Sequence, residues 1–367
     1  MKRILILADI NSAHTQKWCI SLVQAGLDIG IFTLGFPDNQ WYENFENISV
    51  FCPFRFHRQT FHSSSLSKIK YLKAVPRLKK IIQKFNPDIL HAHYATSYGL
   101  IGALTGFHPY LISAWGSDLM DFPSKSFLHE KLIKYIFSKT DQVLVTSATL
   151  NDYAKKFTSK KIEIIPFGVD TNKFKPMMGE SVFKTDCLVI GAVKSMEPVY
   201  GMDTLIKAFA QSNLERPENN LRLLLVGSGS METSYKQLAR EMKLEEKVFF
   251  AGRVLHSELP KYYNMIDIFV NISNNESFGV SVLEASACEK PVIVSAVGGL
   301  NEVVEENVTG FFVKPGDIPG AARTMEKLIL NPELRSRLGQ EGRKMVERKY
   351  NWNENVREQI RIYDSLI

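Results

Sequence analysis

Residues 274–304 read NNESFGVSVLEASACEKPVIVSAVGGLNEVV, and this stretch decides the fold. Glu276 stands in a polar loop just after the apolar, strand-like run Ile268–Ile272. Phe278 and Gly279 then open an apolar helical stretch that carries Glu284. A second apolar run, Pro291–Val294, follows, then a Gly298–Gly299 turn and Glu302. Strand, helix and strand in succession predict one repeat of a parallel sheet covered by helices. Free N–H groups at the helix start suit a phosphate. Glu284, acceptor-only when ionised, can take both hydroxyls of a ribose. Glu276 would reach a group beyond the phosphate, such as a sugar. Two glutamates eight residues apart arise often by chance, so the setting carries this reading; the plainer alternative is a buried strand–helix–strand unit with two solvated glutamates.

Working outward, the same alternation fills the chain. Strands are expected at 187–192, 221–226, 247–250, 267–272, 291–294 and 311–313, with a helical, charged end over 317–367. In the first half, strands are expected at Arg3–Ala8, Asp28–Leu34, Asp88–His91, Pro109–Ala114, Gln142–Val145 and Lys161–Ile165. Helices fall between them, among them Gln16–Ala25, Leu66–Phe85, Ser97–Thr105, Phe127–Ser138 and Ala148–Phe157. Residues 171–186, polar with Pro and Gly, make the best linker. The expected architecture is α/β: two doubly wound parallel-sheet domains with a cleft between the carboxyl ends of their strands, where ligands bind in such sheets.

Composition sets the outer limits. At 367 residues the chain is about two domains long. Its 45% hydrophobic and 23% charged content is that of a soluble globular protein. No apolar run approaches a membrane span, and Asp9 interrupts the first one, which reads as a strand and not a signal peptide. Cys19, Cys52, Cys187 and Cys288 are far apart, with no metal spacing, and read as buried thiols in a reducing compartment. The net charge of +6 is uneven. Residues 1–176 carry 22 Lys and Arg against 13 Asp and Glu, a net of +9; the remainder carries 23 against 26, a net of −3. No acidic residue lies between Glu46 and Asp88, where Arg55, Arg58, Lys68, Lys70, Lys73, Arg77, Lys79, Lys80 and Lys84 stand.

The block around Glu276 resembles the nucleotide-sugar domain of retaining glycosyltransferases of the GT-B fold, glycosyltransferase family 4. The family pattern is Glu-x7-Glu with Phe-Gly after the first Glu, then Pro-Val and Gly-Gly-x-x-Glu; the chain has each of these. The resemblance implies two Rossmann-like domains: residues 1–170 for the acceptor, a linker over 171–186, residues 187–351 for the donor, and a last helix, 352–367, crossing back to the first domain. It implies a nucleoside-diphosphate sugar as donor, with Glu276 positioning the sugar, Glu284 gripping the ribose, and the helix start at Phe278, Gly279 and Val280 on the diphosphate.

Further segments fit the same family with departures. The first strand–helix turn, Asp9–His14, approaches the donor diphosphate in relatives, often with glycines; here Ser12 and His14 stand in it. His91-Ala92-His93-Tyr94 resembles a His-x-His segment on the acceptor side; a metal there lacks a third ligand. Ala114-Trp115-Gly116-Ser117-Asp118 resembles a His-Gly-x-Asp segment with Trp115 in the His place, and a Trp cannot shuttle protons. Asp118 is then a candidate for an acceptor hydroxyl. Pro166–Asp170 resembles the stretch before the linker. In the turn opening the second domain, Ala192 and Tyr200 replace two family cations, which leaves Lys194 to hold the diphosphate. Gly227 suits close backbone approach to the nucleotide, and Arg253 stands where the family frames the base.

There is no Asp-x-Asp, no GxGxxG after the first strand, no P-loop and no GxSxG. The expectation is a retaining, hexosyl-type glycosyltransferase of bacterial surface-polysaccharide assembly. It would move a sugar from a nucleoside-diphosphate sugar to a glycan or lipid-diphosphate-linked acceptor. Glu276, Asp118 and Lys194 are the catalytic candidates; Glu284, Arg253, Phe278, Gly279, Val280, Gly227, Ser12 and His14 are the donor-binding ones. No cofactor, metal or nucleic acid is expected. The basic first half and the amphipathic segment FLHEKLIKYIFSK would place the protein in the cytoplasm, peripheral on the anionic inner face of the membrane. Two other readings stay open: another GT-B reaction such as nucleotide-sugar epimerisation, and an inactive nucleotide-sugar-binding subunit, which Trp115, Ala192 and Tyr200 keep in view.

Overall fold

A computed structural model of the chain describes residues 1–53, 72–178, 181–183, 186–215 and 220–367. They form two compact units, Met1–Pro166 together with Glu354–Ile367, and Phe167–Asn353. The division falls at Pro166, ahead of the stretch 171–186 read as a linker, so the described part of that stretch counts with the second unit.

The first unit is built on seven strands: β1 (Arg3–Leu7), β2 (Asp28–Phe32), β3 (Ile48–Phe51), β4 (Ile89–His93), β5 (Tyr110–Ala114), β6 (Gln142–Val145) and β7 (Ile162–Ile164). They pair in the order β3-β2-β1-β4-β5-β6-β7, all parallel. The central strands are buried on both faces, so Ile4–Leu7 of β1 and Tyr110–Ile112 of β5 read as unbroken apolar runs. Helices Ala13–Gln24, Val75–Phe85, Ser97–Ala103, Phe127–Lys139 and Ala148–Ala154 stand between strands. The strand order reverses between β1 and β4, and the loops leaving their carboxyl ends meet at this switch point. Strand β3 lies where no strand is expected from the sequence. Of the helix expected over Leu66–Phe85, Val75–Phe85 is present, and residues 66–71 lie outside the described residues. The helix Trp352–Asp364 supplies its carboxyl part to this unit: Tyr363 is fully buried, Asn355 Nδ2 donates to the Pro166 carbonyl at 2.6 Å, and Asp364 pairs with Lys2.

The second unit has six parallel strands: β8 (Leu188–Val193), β9 (Leu221–Val226), β10 (Val248–Gly252), β11 (Ile268–Asn271), β12 (Val292–Ser295) and β13 (Gly310–Val313). Their order is β10-β9-β8-β11-β12-β13, with the switch point between β8 and β11. Alternate residues of β11 diverge in role: Ile268 and Val270 join the core beneath the helices Met202–Glu215 and Ile318–Ile329, with Leu205, Phe209, Met325 and Leu328. The neighbouring Phe269 turns to the other face, where its ring lies 5.7 Å from that of Tyr263.

Candidate active site

At the switch point of the second unit, β8 runs out at Val193 and Lys194 follows; β11 runs out at Asn271 and Glu276 follows. These two strands are sheet neighbours, so residues 82 apart in sequence meet. The Lys194 ammonium forms an ion pair with Glu276 Oε2, with side-chain exposures of only 18% and 10%. The ammonium also lies 4.4 Å from the centre of the Tyr200 ring, a cation–π contact. Tyr200, which stands in place of a family cation, thus faces the one that remains in this loop.

Four loops are fastened around the pair, those after β8, β9, β11 and β12. The Met196 N–H donates to Ser228 O at 3.0 Å, that of Asn274 to Val199 O at 2.8 Å, and that of Gly299 to Glu276 O at 3.0 Å. Two glycines make this closeness feasible. Gly227, at φ 136°, would place a Cβ 2.0 Å from the Lys194 carbonyl oxygen. Gly298, at φ 45°, would place one 2.0 Å from the Glu276 carbonyl oxygen. Backbone, not side chains, therefore fixes where Lys194 and Glu276 begin.

The helix Val280–Ala287 starts three residues beyond Ser277 with Gly279 at its cap, no side-chain capping bond and no acidic residue in its first turn. Its first N–H groups have no intrahelical partner and carry the positive end of the helix dipole. The Ser281 hydroxyl, buried at this end, has no hydrogen-bond partner among the described residues. The Phe278 side chain is 2% exposed, with its ring 5.9 Å from those of Phe167 and Tyr350. It is a core residue that can offer a ligand only its backbone.

Glu284 lies inside this helix, 5% exposed. Its Oε2 accepts the Tyr263 hydroxyl at 2.8 Å, and its Oε1 is 2.9 Å from His256 Nε2. Neither partner is singled out by the sequence. Arg253 is exposed at the carboxyl end of the edge strand β10, two strands from Lys194, without an ion pair to any described residue. The fold does not bring it to the Lys194–Glu276 pair.

In the first unit, the turn after β1 and the end of β4 meet at the other switch point. Asn11 is tied to the segment after β2, its Nδ2 donating to Phe36 O at 2.8 Å and its Oδ1 accepting from Asp38 N at 2.7 Å. Ser12 occupies the cap position of helix Ala13–Gln24 without a side-chain capping bond. A row of rings follows: His14 to Trp115 at 5.7 Å, Trp115 to His93 at 4.8 Å, His93 to His91 at 4.7 Å. His91 is saturated by Tyr363 OH at 2.7 Å and Ser113 Oγ at 2.8 Å. Burial pushes its pKa down to about 3. Burial, with help from His91 and His14, also holds His93 well below the usual range, and its buried Nδ1 has no hydrogen-bond partner among the described residues. Both imidazoles on β4 are neutral at ordinary pH.

Asp118 is also corrected. It is fully buried, and its carboxylate accepts backbone N–H groups of Ala95 at 2.8 Å, Gly116 at 2.8 Å and Trp115 at 3.2 Å. Burial raises its pKa while these bonds oppose the shift. Its oxygens are committed to pinning the turn after β5 onto the end of β4, where Tyr94 takes a left-handed φ of 87°. Asp118 shapes the site and is not placed to receive a hydroxyl. No group of three or more His, Cys, Asp or Glu that could hold a metal ion occurs among the described residues.

Comparison with known proteins accords with this geometry. The family described as "Glycosyl transferases group 1" matches residues 174–345, and "Glycosyl transferase 4-like" matches residues 3–147. The chain is 26% identical over 366 residues to the N-acetyl-alpha-D-glucosaminyl L-malate synthase of Bacillus anthracis, covering 93% of this chain and 90% of that protein. In structure it is similar to a sucrose-phosphate synthase from Thermosynechococcus elongatus, with a TM-score of 0.84 at 22% identity, covering 100% of this chain and 99% of the other. It is also similar to Anabaena Alr3699/HepE in complex with UDP and glucose, with a TM-score of 0.80 at 19% identity and full coverage of both chains. Two family matches that together span most of the sequence, over two parallel-sheet units of seven and six strands, show that the chain belongs to the family 4 glycosyltransferases of the GT-B fold.

Proposed function

We propose that the chain is a retaining, hexosyl-type glycosyltransferase that moves a sugar from a nucleoside-diphosphate sugar to a lipid-linked glycan in surface-polysaccharide assembly. The observation that carries this reading is the Lys194–Glu276 pair at a sheet switch point. A donor diphosphate draws Lys194 away from Glu276 and lies against the start of helix Val280–Ala287, with the Ser281 hydroxyl as a further donor. Both devices stabilise the negative charge that grows on the leaving group. Glu276, released, takes a sugar hydroxyl, and Glu284 takes the ribose. The bond from the anomeric carbon to the phosphate oxygen breaks, the acceptor oxygen bonds on the same face, and its proton passes to the departing diphosphate. That the Anabaena neighbour was solved with UDP and with UDP-glucose supports a donor of this class. Ser12 and His14, at the start of helix Ala13–Gln24, are the proposed donor contacts of the first unit.

The membrane part of the proposal rests on the surface of the first unit. Helix Phe127–Lys139 buries Ile133, Ile136 and Phe137 and leaves Phe127 and Leu128 67% and 75% exposed beside Lys131. Lys73, Arg77, Lys79, Lys80 and Lys84 are exposed on or beside helix Val75–Phe85. Arg55, Arg58, Lys68 and Lys70 lie outside the described residues. Among the described residues no helix is long and apolar enough to cross a membrane. The proposed place is the cytoplasmic face of an anionic bilayer, where lipid-linked acceptors lie. NMR of the first-formed product from an α-linked donor tests the chemistry: an α-linked product is expected, and a β-linked one overturns retention.

A further inference from the structure

Glu284 is held from two sides by residues of unlike freedom. Tyr263 is fully buried, with its ring 5.9 Å from that of Phe174 and 5.7 Å from that of Phe269. Its hydroxyl, 2.8 Å from Glu284 Oε2, can only donate to a carboxylate. Burial and the Glu284 charge raise its pKa well above the usual phenol value, so the proton stays. His256 sits in the loop after β10, with its side chain 42% exposed, and contacts Oε1 at 2.9 Å. Its tautomer follows from its other nitrogen. Lys173 Nζ lies 3.4 Å from Nδ1, and an ammonium only donates, so Nδ1 accepts and the Nε2–H points at Glu284. One oxygen of Glu284 is thus held by a packed residue, the other by a half-exposed ring that has room to leave.

We propose that His256 is a stopper over the ribose subsite, and that Tyr263 is the positioning residue that holds Glu284 for the ribose once His256 leaves. This rests on the reading of Glu284 as the ribose carboxylate. The Nε2–H mimics a ribose hydroxyl on Oε1, so the donor must displace it. Oε2, pinned by Tyr263, keeps the carboxylate from following His256 outward. Ribose hydroxyls then meet one preset oxygen in place of a freely rotating pair, and a nucleotide lacking them has no means to lift the stopper.

The test measures binding of UDP, GDP and ADP, and of their 2′,3′-dideoxy forms, by calorimetry on the full chain. The unaltered protein, His256→Ala and Tyr263→Phe are compared, and melting curves confirm folding. His256→Ala is expected to tighten the ribo form by about tenfold, the lower end of the range for one lost charge-assisted bond, and to leave the dideoxy form unchanged. Tyr263→Phe is expected to move the ribo-to-dideoxy ratio the opposite way, toward one. A purely structural loss would weaken both forms alike and leave the ratio in place. An unchanged ratio in both variants, or weaker ribo binding in His256→Ala, overturns the inference while leaving the donor site intact. Should Tyr263→Phe fail to fold, the His256 variant alone decides. Absence of binding of all three diphosphates to the unaltered protein overturns the donor-site reading itself, and this inference with it.

Discussion

Replacing Glu276 with glutamine separates two roles that its pair with Lys194 combines. In the donor-free protein the carboxylate neutralises Lys194 at a position where neither side chain is more than 18% exposed. A diphosphate has to break that pair before it can use the ammonium. A hydrogen bond to a charged group contributes about 1.5–3 kcal/mol, and solvent screening is small at this burial. Taking the lower end, Glu276→Gln releases about 1.5 kcal/mol to the incoming diphosphate, or roughly tenfold in affinity. It also removes a negative charge from beside the phosphates. Turnover moves the other way: the neutral amide is a poorer acceptor for a sugar hydroxyl, and a fall of at least about tenfold is expected. Titration calorimetry with UDP, GDP and ADP reads the first effect, and product formation under saturating donor reads the second. A cycle with Lys194→Ala completes the argument, since the gain from Glu276→Gln should vanish when the ammonium is gone. Nucleotide affinity that stays level or falls in Glu276→Gln, with Lys194 present, refutes the idea that the two ligands share one cation.

Three further outcomes are expected. The folded-state pKa of His91, about 3, lies below its unfolded value of 6.5, so its contribution to stability is complete above pH 6.5 and is lost as the pH falls toward 3. At pH 4.5 that loss is on the order of 3 kcal/mol for this residue alone; urea unfolding at pH 7.5 and 4.5 should show a shallower pH slope for His91→Gln, and equal slopes would count against the buried neutral imidazole. Gly298→Ala, which forces a side chain into a left-handed turn 2.0 Å from the Glu276 carbonyl oxygen, should cost about 2 kcal/mol or more in thermal unfolding and weaken nucleotide binding. In flotation with anionic vesicles, each basic side chain at the surface adds up to about 1 kcal/mol that fades with salt; Phe127→Ser with Leu128→Ser should weaken binding at every salt concentration, Lys79→Ser with Lys80→Ser only at low salt, and no binding at low salt sinks the membrane assignment.

The sheet is legible in the sequence wherever a strand is buried on both faces. Leu188–Val193 and Leu223–Val226 are unbroken apolar runs, and both lie in strands. The edge strand Ile48–Phe51 carries no such signal, because only Ile48 of its four side chains is buried. The same contrast holds at the site. Lys194 and Glu276 can be singled out by type and setting, but their pairing depends on β8 lying beside β11, strands that are not consecutive. His256 and Tyr263 precede Glu284 by 28 and 21 residues, with β11 and a loop between, so no local spacing announces them. Asp118 shows the reverse error: it keeps its place in the family segment, yet only the geometry reveals that backbone N–H groups already fill its carboxylate. For Phe278 the sequence marks the helix start, and the structure adds that its ring belongs to the core.

The first unit draws its last fourteen residues, Glu354–Ile367, from beyond the second. On a ribosome, Met1–Pro166 emerges early but cannot close, because Tyr363, the hydrogen-bond partner of His91 Nδ1, is still to be translated. The second unit, continuous from Phe167 to Asn353, can finish while the first still waits. Until then β4 carries a buried imidazole without its phenol, and the apolar surface destined for Val356, Ile362 and Tyr363 stands open to chaperones and proteases. A nascent chain cut short before Tyr363 would therefore carry its lesion in the half that was made first.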